Sequence, residues 1–270
     1  MKLGIGTYAF MWSIGFPGAA PRKPMSAFDL LEKARELNVK VVQYGPNLPL
    51  DSLPAEDLEA LIAQARAWGI AIEIGTQGLE VGRLQGQLAL AKQVGAELLR
   101  TTTEGPDGVT PPLEQMKMSI REVLPDLVRQ SVFLAVENGR LPARKLAELV
   151  SSARSDHVGV TLDTANSFAV PEGTEQVAEV LAPYVKSLHL KDFVVERLWH
   201  RMGFSIHGKP AGSGLLDVPH ILGMLRKAHP SPNAILELWP LEQGSLEDTI
   251  HLENAWAVES ISYLRRYISA

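Results

Sequence analysis

Val132-Phe133-Leu134-Ala135-Val136-Glu137 and Val158-Gly159-Val160-Thr161-Leu162-Asp163 are two runs of one design, each six residues long, mostly apolar and closed by a carboxylate. Val132, Leu134 and Val136 share one parity in the first run, and Val158, Val160 and Leu162 share one parity in the second. Successive side chains of a strand point to opposite faces, so Glu137 and Asp163 each come last on the face that these aliphatics do not occupy. Six more runs of this kind, at 3–8, 39–44, 70–74, 97–102, 185–191 and 234–238, bring the strand candidates to eight. Helix-period stretches lie between them.

Ser26-Ala27-Phe28-Asp29 resembles a capping box with Asp in the place of Glu or Gln, and it opens the periodic run Phe28, Leu30, Leu31, Ala34, Leu37. Further helices are expected at about 55–68, 84–94, 113–129 and 143–153, with Gly69 and Gly95 where C′ glycines belong. No Pro/Gly/Ser-rich linker divides the chain, and strand–helix alternation runs through its middle. A length of 270 residues leaves one or two domains open, because α/β barrels reach roughly 250 residues as one unit. Eight βα units favour a single (β/α)8 TIM barrel over 1–270; an open doubly wound sheet, the alternative, usually stops at five to seven strands.

The chain has no cysteine, which excludes a disulfide scaffold and any thiolate-held metal or cluster. With 26 Lys+Arg against 31 Asp+Glu, net charge −5, there is no basic footprint for nucleic acid. The segment Met1 to Tyr8 lacks the apolar run of a signal peptide, and no run of about 18 apolar residues predicts a membrane span. Cytoplasm is the expected location. Gly4-Ile5-Gly6 lacks the third glycine of a dinucleotide fingerprint, no P-loop occurs, and His251 is not followed by a zincin pattern.

In a closed parallel barrel, the last inward residues of the strands face the active-site mouth. Parity places Glu137, Asp163, His189 and Glu237 there, with Lys191 inward beside them. The steps from Glu137 to Asp163 and from Asp163 to His189 are 26 residues each, about one βα unit, and the longer step to Glu237 leaves room for an extended seventh loop. Three carboxylates so close would raise one another's pKa unless a cation neutralised them. Three carboxylates and an imidazole form a hard, oxygen-rich set suited to Mn²⁺ or Mg²⁺, with Co²⁺ and Zn²⁺ also compatible.

Leu134-Ala135-Val136-Glu137-Asn138, Leu162-Asp163-Thr164-Ala165-Asn166, Leu188-His189-Leu190-Lys191-Asp192 and Leu236-Glu237-Leu238-Trp239 together resemble the sugar phosphate isomerase/epimerase family, the xylose isomerase-like barrels. The resemblance covers essentially the whole chain. It implies that Glu137, Asp163, His189 and Glu237 bind one divalent ion, Mn²⁺ first, and that Glu137 and Glu237 are an acid/base pair on opposite faces of the substrate. Two positions depart from the commoner pattern: Asn166 stands where many members carry a second His, and Lys191-Asp192 replaces the ketose-epimerase pattern. Both point towards lyase-like branches, and the first loop together with 189–214 is similar to members assigned as oxo-isoapionate-type decarboxylases. Seven histidines are too few for the endonuclease members' metal cluster.

Arg100, inward on the fourth strand, could hold a substrate carboxylate or pair with a barrel carboxylate. Gln43 and Glu73 end the second and third strands, and Glu73 is expected to pair with Arg100. The loop 193–214 carries Arg197, Trp199, His200, Arg201, His207 and Lys209, a basic segment suited to an anionic substrate or to lid closure. Trp12, with Phe10 and Phe16, offers an aromatic wall for a sugar ring. Arg100, Lys191, Asn166, Trp12, His200 and Arg201 are thus the substrate-binding candidates.

The first functional expectation is a metal-dependent isomerase or epimerase acting on a small keto sugar or sugar acid through an enediolate. The second is a metal-dependent lyase, a decarboxylase or dehydratase of an oxo-sugar acid. A sugar-binding barrel without turnover is the third. The expected partner is a small sugar or sugar acid, and a homo-oligomer is compatible with the sequence.

Overall fold

The structure is a computed structural model that describes residues 1–227 and 231–268, so the expected domain span of 1–270 includes five residues outside the described ones. In chain order the strands are β1 (Leu3–Gly6), β2 (Val41–Tyr44), β3 (Ala71–Gly75), β4 (Leu98–Thr101), β5 (Phe133–Glu137), β6 (Val158–Asp163), β7 (Val185–Leu190), β8 (Asp192–Arg197), β9 (Phe204–Lys209) and β10 (Asn233–Leu236). Eight of them close into a barrel in the order β1-β10-β7-β6-β5-β4-β3-β2, each neighbouring pair parallel. Strands β8 and β9 form a separate antiparallel hairpin. The helices are α1 (Met11–Ile14), α2 (Ala27–Glu36), α3 (Ala55–Trp68), α4 (Val81–Val94), α5 (Leu113–Gln130), α6 (Ala143–Ser151), α7 (Thr174–Leu181), α8 (Val218–Met224) and α9 (Leu246–Leu264).

The eight expected strands are the eight of the barrel, and the chain is a single (β/α)8 TIM barrel. Local signals explain several boundaries. The Ser26 hydroxyl accepts from the Asp29 amide at 3.2 Å while the Asp29 carboxylate accepts from the Ser26 amide at 2.9 Å, closing the capping box that starts α2. Gly69 (φ 64°) and Gly95 (φ 73°) end α3 and α4 in the left-handed conformation that a Cβ disfavours. Helix α4 begins three residues before its expected start because Glu80 accepts from the amides of Gly82 and Arg83. Leu134, Val136, Val160, Leu162, Leu188, Leu190 and Leu236, the aliphatics on the outward parity, are all fully buried in the core.

The stretch expected as a long seventh loop is ordered instead as the β8–β9 hairpin, paired from Asp192↔Lys209 to Arg197↔Phe204. Its base is pinned by Asp192, whose carboxylate accepts from the amides of Phe193 (2.8 Å), Gly212 (2.8 Å), Gly214 (3.0 Å) and Leu216 (3.0 Å).

A second buried carboxylate ties the ends of the barrel together. Glu253 of α9 accepts from the amides of Trp12 (2.8 Å) and Ser13 (3.0 Å) and from the Ser13 hydroxyl (2.7 Å), so a side chain from the last helix caps the short helix after β1. Burial, partly offset by these donors, pushes its pKa up to about 7 from an ordinary 4.5. A carboxyl raised in the folded state binds more protons folded than unfolded between those values, so its contribution is full at low pH and is lost as pH rises through about 7. Urea midpoints should therefore fall from pH 5 to pH 8, and Glu253→Gln should flatten that slope by on the order of 2–3 kcal/mol. Equal slopes in the two proteins would refute the assignment.

Candidate active site

Glu137 and Asp163 are the last residues of β5 and β6, His189 lies in β7 as the register partner of Asp163, and Glu237 follows β10 directly. All four side chains are buried. Glu137, Asp163 and His189 each offer a ligand atom within 4.8 Å of the others. Glu237 lies outside that triad but adjoins it, with Oε1 3.1 Å from His189 Nδ1. Glu137 Oε2 is 3.3 Å from the same nitrogen.

Around this cluster the chain supplies two cations. Arg100 Nε makes a close ion pair with Glu137 Oε2, and Asn166 Nδ2 donates to Glu137 Oε1 at 2.6 Å. Lys191 Nζ stands between Asp163 Oδ2 (2.9 Å) and Glu237 Oε2 (2.8 Å). The contact to Asp163 has the distance of an ion pair without hydrogen-bond geometry, so Asp163 Oδ2 remains an orphaned acceptor. Burial tends to raise the Glu137 pKa, but Arg100 and His189 outweigh it and hold the carboxyl well below its usual range. For Asp163 burial wins over Lys191, helped by Glu137 and Glu237, and its pKa is raised. Burial also works against the Lys191 ammonium, yet Asp163, Glu237 and Glu137 keep its pKa above the ordinary value.

Beneath the cluster runs a hydrogen-bonded line. Asn233 Nδ2 donates to Glu73 Oε1 at 2.7 Å, Gln43 Nε2 donates to Glu73 Oε2 at 3.0 Å, and His189 Nε2 lies 2.8 Å from Gln43 Oε1. An amide oxygen only accepts, so Nε2 of His189 carries the proton and Nδ1 is the nitrogen turned to the carboxylates. The expected Glu73–Arg100 pair is not formed. Arg100 is a register partner of Ala135 on β5, the strand that ends in Glu137, whereas Glu73 is the register partner of Gln43.

The cluster fits a divalent cation. Asp163 Oδ2, His189 Nδ1 and Glu237 Oε1 are buried without hydrogen-bond partners, and they sit beside one another in an oxygen-rich set. Two carboxylate oxygens near Nδ1 call for positive charge there, which a proton or a metal ion supplies. Gln43 fixes the ring in the orientation that metal-binding histidines require.

Above the cluster the mouth divides into two cavities that share Asn166. One, of about 450 Å³, is mainly aromatic, with Tyr8, Trp12, Phe16, Trp239 and Lys191 in its wall. The other, of about 410 Å³, is polar, with Gln77, Arg100, Thr102, Glu137 and Arg140. Trp12 and Phe16 meet edge to face, their centroids 5.1 Å apart, and Trp12 Nε1 donates to the Pro240 carbonyl. Phe10 is part of the core. The structure thus gathers Arg100, Lys191, Asn166 and Trp12 at the mouth. His200 and Arg201 are not brought there: pairing of β8 with β9 places them on the exposed turn of the hairpin, apart from the residues lining either cavity.

Two contributors carried weaker sequence signals. Asn138 accepts from the Asp163 amide at 2.6 Å and donates to the Asp163 carbonyl at 2.9 Å, which holds the end of β6 against β5. Its position directly after Glu137 was the available clue. Gln43 shares with Glu73 the inward parity of adjacent strands, and only their pairing reveals its hold on His189.

The profile of the xylose isomerase-like TIM barrel family matches residues 8–267. The chain belongs to this family. A 3-oxo-isoapionate decarboxylase of Pectobacterium atrosepticum is 30% identical over 265 residues, spanning 98% of this chain and 95% of that protein. Among solved structures, a D-psicose 3-epimerase with D-tagatose from Clostridium cellulolyticum H10 superposes with a TM-score of 0.74 at 14% identity, covering 100% of both chains. A xylose isomerase-like protein of Mycobacterium smegmatis in complex with magnesium superposes with a TM-score of 0.70 at 13% identity, over 97% of each chain. The Pectobacterium relative is an enzyme, and among the described residues no helix is long and apolar enough to cross a membrane.

Proposed function

We propose that this chain is a divalent-metal-dependent decarboxylase of a small β-keto sugar acid. The observation that carries this reading is the state of Glu137. Donors on both its oxygens, Arg100 Nε and Asn166 Nδ2, stabilise the anion and make it a weak base. Isomerisation, the first expectation from the sequence, needs one group to take a hydrogen from carbon and another to return it. Against burial, His189 and Lys191 hold Glu237 below its usual range as well, so neither carboxylate is poised to take that hydrogen.

Decarboxylation needs no base. The electron pair of the bond to the carboxylate moves into the adjacent carbonyl as CO₂ leaves, and the resulting enolate takes one proton at the α-carbon to give the ketone. Lys191, which lines the aromatic cavity with its ammonium 2.8 Å from Glu237, would stabilise the enolate as a fixed cation and hand it that proton. Arg100 and Asn166 face the polar cavity, where hydroxyls of a sugar acid would be seated, while Trp12 and Phe16 exclude water from the other side. A divalent ion held by Glu137, Asp163, His189 and Glu237, Mn²⁺ first, would supply Lewis-acid polarisation of the substrate carbonyl.

Charge supports an anionic substrate. Three carboxylates against Arg100 and Lys191 leave one net negative charge in the cluster; a divalent ion turns this to one positive, which a single substrate carboxylate neutralises. The 30% identity with a named decarboxylase, over nearly both whole chains, agrees with this reading.

The test is incubation with Mn²⁺ and a panel of β-keto sugar acids in D₂O. CO₂ release with one deuterium in the ketone, abolished by chelator, is the expected result. Absence of CO₂ from every acid, together with deuterium exchange into ketoses, would replace this reading with isomerase chemistry.

A further inference from the structure

The outer part of the β8–β9 hairpin leaves one face uncovered. Antiparallel partners share a side, so Phe193 with Gly208, Val195 with Ile206, and Arg197 with Phe204 lie on one face. At its root this face is packed on the barrel: Phe193 meets Phe168 edge to face at 4.5 Å, and a Cβ on Gly208 would lie 2.6 Å from the Trp239 carbonyl oxygen. Beyond the root, Val195 is 40% exposed, Ile206 41% and Phe204 60%, and the turn adds Leu198 at 37%, Met202 at 87% and Trp199 at 92%. Six of the thirteen exposed large hydrophobic side chains among the described residues thus fall within twelve consecutive positions. The opposite face is mainly polar: Glu196 pairs with Ser205, and His207, opposite Val194, lies 3.5 Å from Glu196.

We infer that this apolar face is the contact surface of a two-fold homodimer. Two physical arguments converge on a second copy of this chain. A two-stranded ribbon is at best marginally stable in water, so an outer half with nothing on its apolar side calls for a stable covering surface. The side chains concerned expose on the order of 700 Å² of apolar area, close to the roughly 800 Å² that each partner contributes to a standard interface. An exposed ribbon face can pair with the same face of a second copy about a two-fold axis, the commonest symmetry of soluble oligomers. Arg197 does not break that face, because its guanidinium carbon sits over the Phe204 ring, 4.7 Å from the centroid. The hairpin springs from the end of β7, beside Trp239.

Light scattering on the eluting protein at micromolar concentration tests the proposal. The wild-type chain is expected at twice its 29.5 kDa, and the double variant Trp199→Glu/Phe204→Glu at 29.5 kDa with an unchanged circular dichroism spectrum. Met202→Glu alone, on the turn and outside the ribbon pairing, is expected to weaken the dimer about 100-fold, and Ser205→Glu on the polar face to leave it intact. A monomeric wild-type protein overturns the proposal. A Trp199→Glu/Phe204→Glu protein that remains dimeric overturns it as well.

Discussion

Replacing Lys191 with methionine is expected to lower turnover about 10³-fold while the protein continues to bind Mn²⁺, since a well-placed proton donor and fixed charge are worth about that much. The ammonium is the chain's own cation between Asp163 and Glu237, and it borders the aromatic cavity. Methionine nearly preserves the volume and removes both the charge and the proton. Because it also removes a cation that competes for two of the proposed metal ligands, a calorimetric titration with Mn²⁺ should show affinity at or above the wild-type level. Loss of rate with retained metal separates a role in the reaction from damage to the metal site. A Lys191→Met protein that keeps a tenth or more of wild-type turnover would remove Lys191 from the chemistry.

Asp192→Ala should cost about 3–5 kcal/mol of stability and lower the melting temperature by roughly 10 °C. Its carboxylate is the acceptor for four backbone amides at 2.8 to 3.0 Å, three of them from the segment between β9 and α8. Alanine leaves all four donors without this acceptor, and those of Phe193 and Leu216 are buried. Gly214 shows how tightly the pocket is built, since a Cβ there would lie 2.1 Å from Asp192 Oδ1. Asp192→Asn should lie between the two, because the amide keeps one accepting oxygen and turns a donor towards other donors. Thermal unfolding followed by circular dichroism decides the order; an alanine variant within 1 °C of wild type would show that the segment holds itself.

The barrel was legible because its strands are covered on both faces and carry long aliphatic runs that end at turn signals. Parity then brought Glu137, Asp163 and His189 to one rim, since it survives errors of a residue or two in strand ends: Glu237 and Lys191 lie just beyond their strands and still face inward. Pairwise chemistry was less legible. Arg100 could reach either Glu73 or Glu137, and barrel register, which strand patterns do not report, decides for Glu137. The hairpin was hidden by its composition. Val194 to Arg197 and Phe204 to His207 alternate too briefly to outweigh the charges and aromatics that read as a basic loop, and so His200 and Arg201 were expected at the mouth. Glu253 gave no signal, because one acid on an amphipathic helix looks like solvent-facing charge until the helix docks.

The link from Glu253 to the amides of Trp12 and Ser13 spans 240 residues of sequence at Ser13, from the first βα connection to the last helix. A ribosome delivers the amino-terminal part first, so the loop bearing Trp12 and Phe16 emerges long before the carboxylate that caps it. Glu237, which follows β10, is also made late, so the rim that carries Glu137, Asp163 and His189 is completed only shortly before α9 docks. The aromatic side of the mouth is therefore among the first segments made and the last to be tied in place.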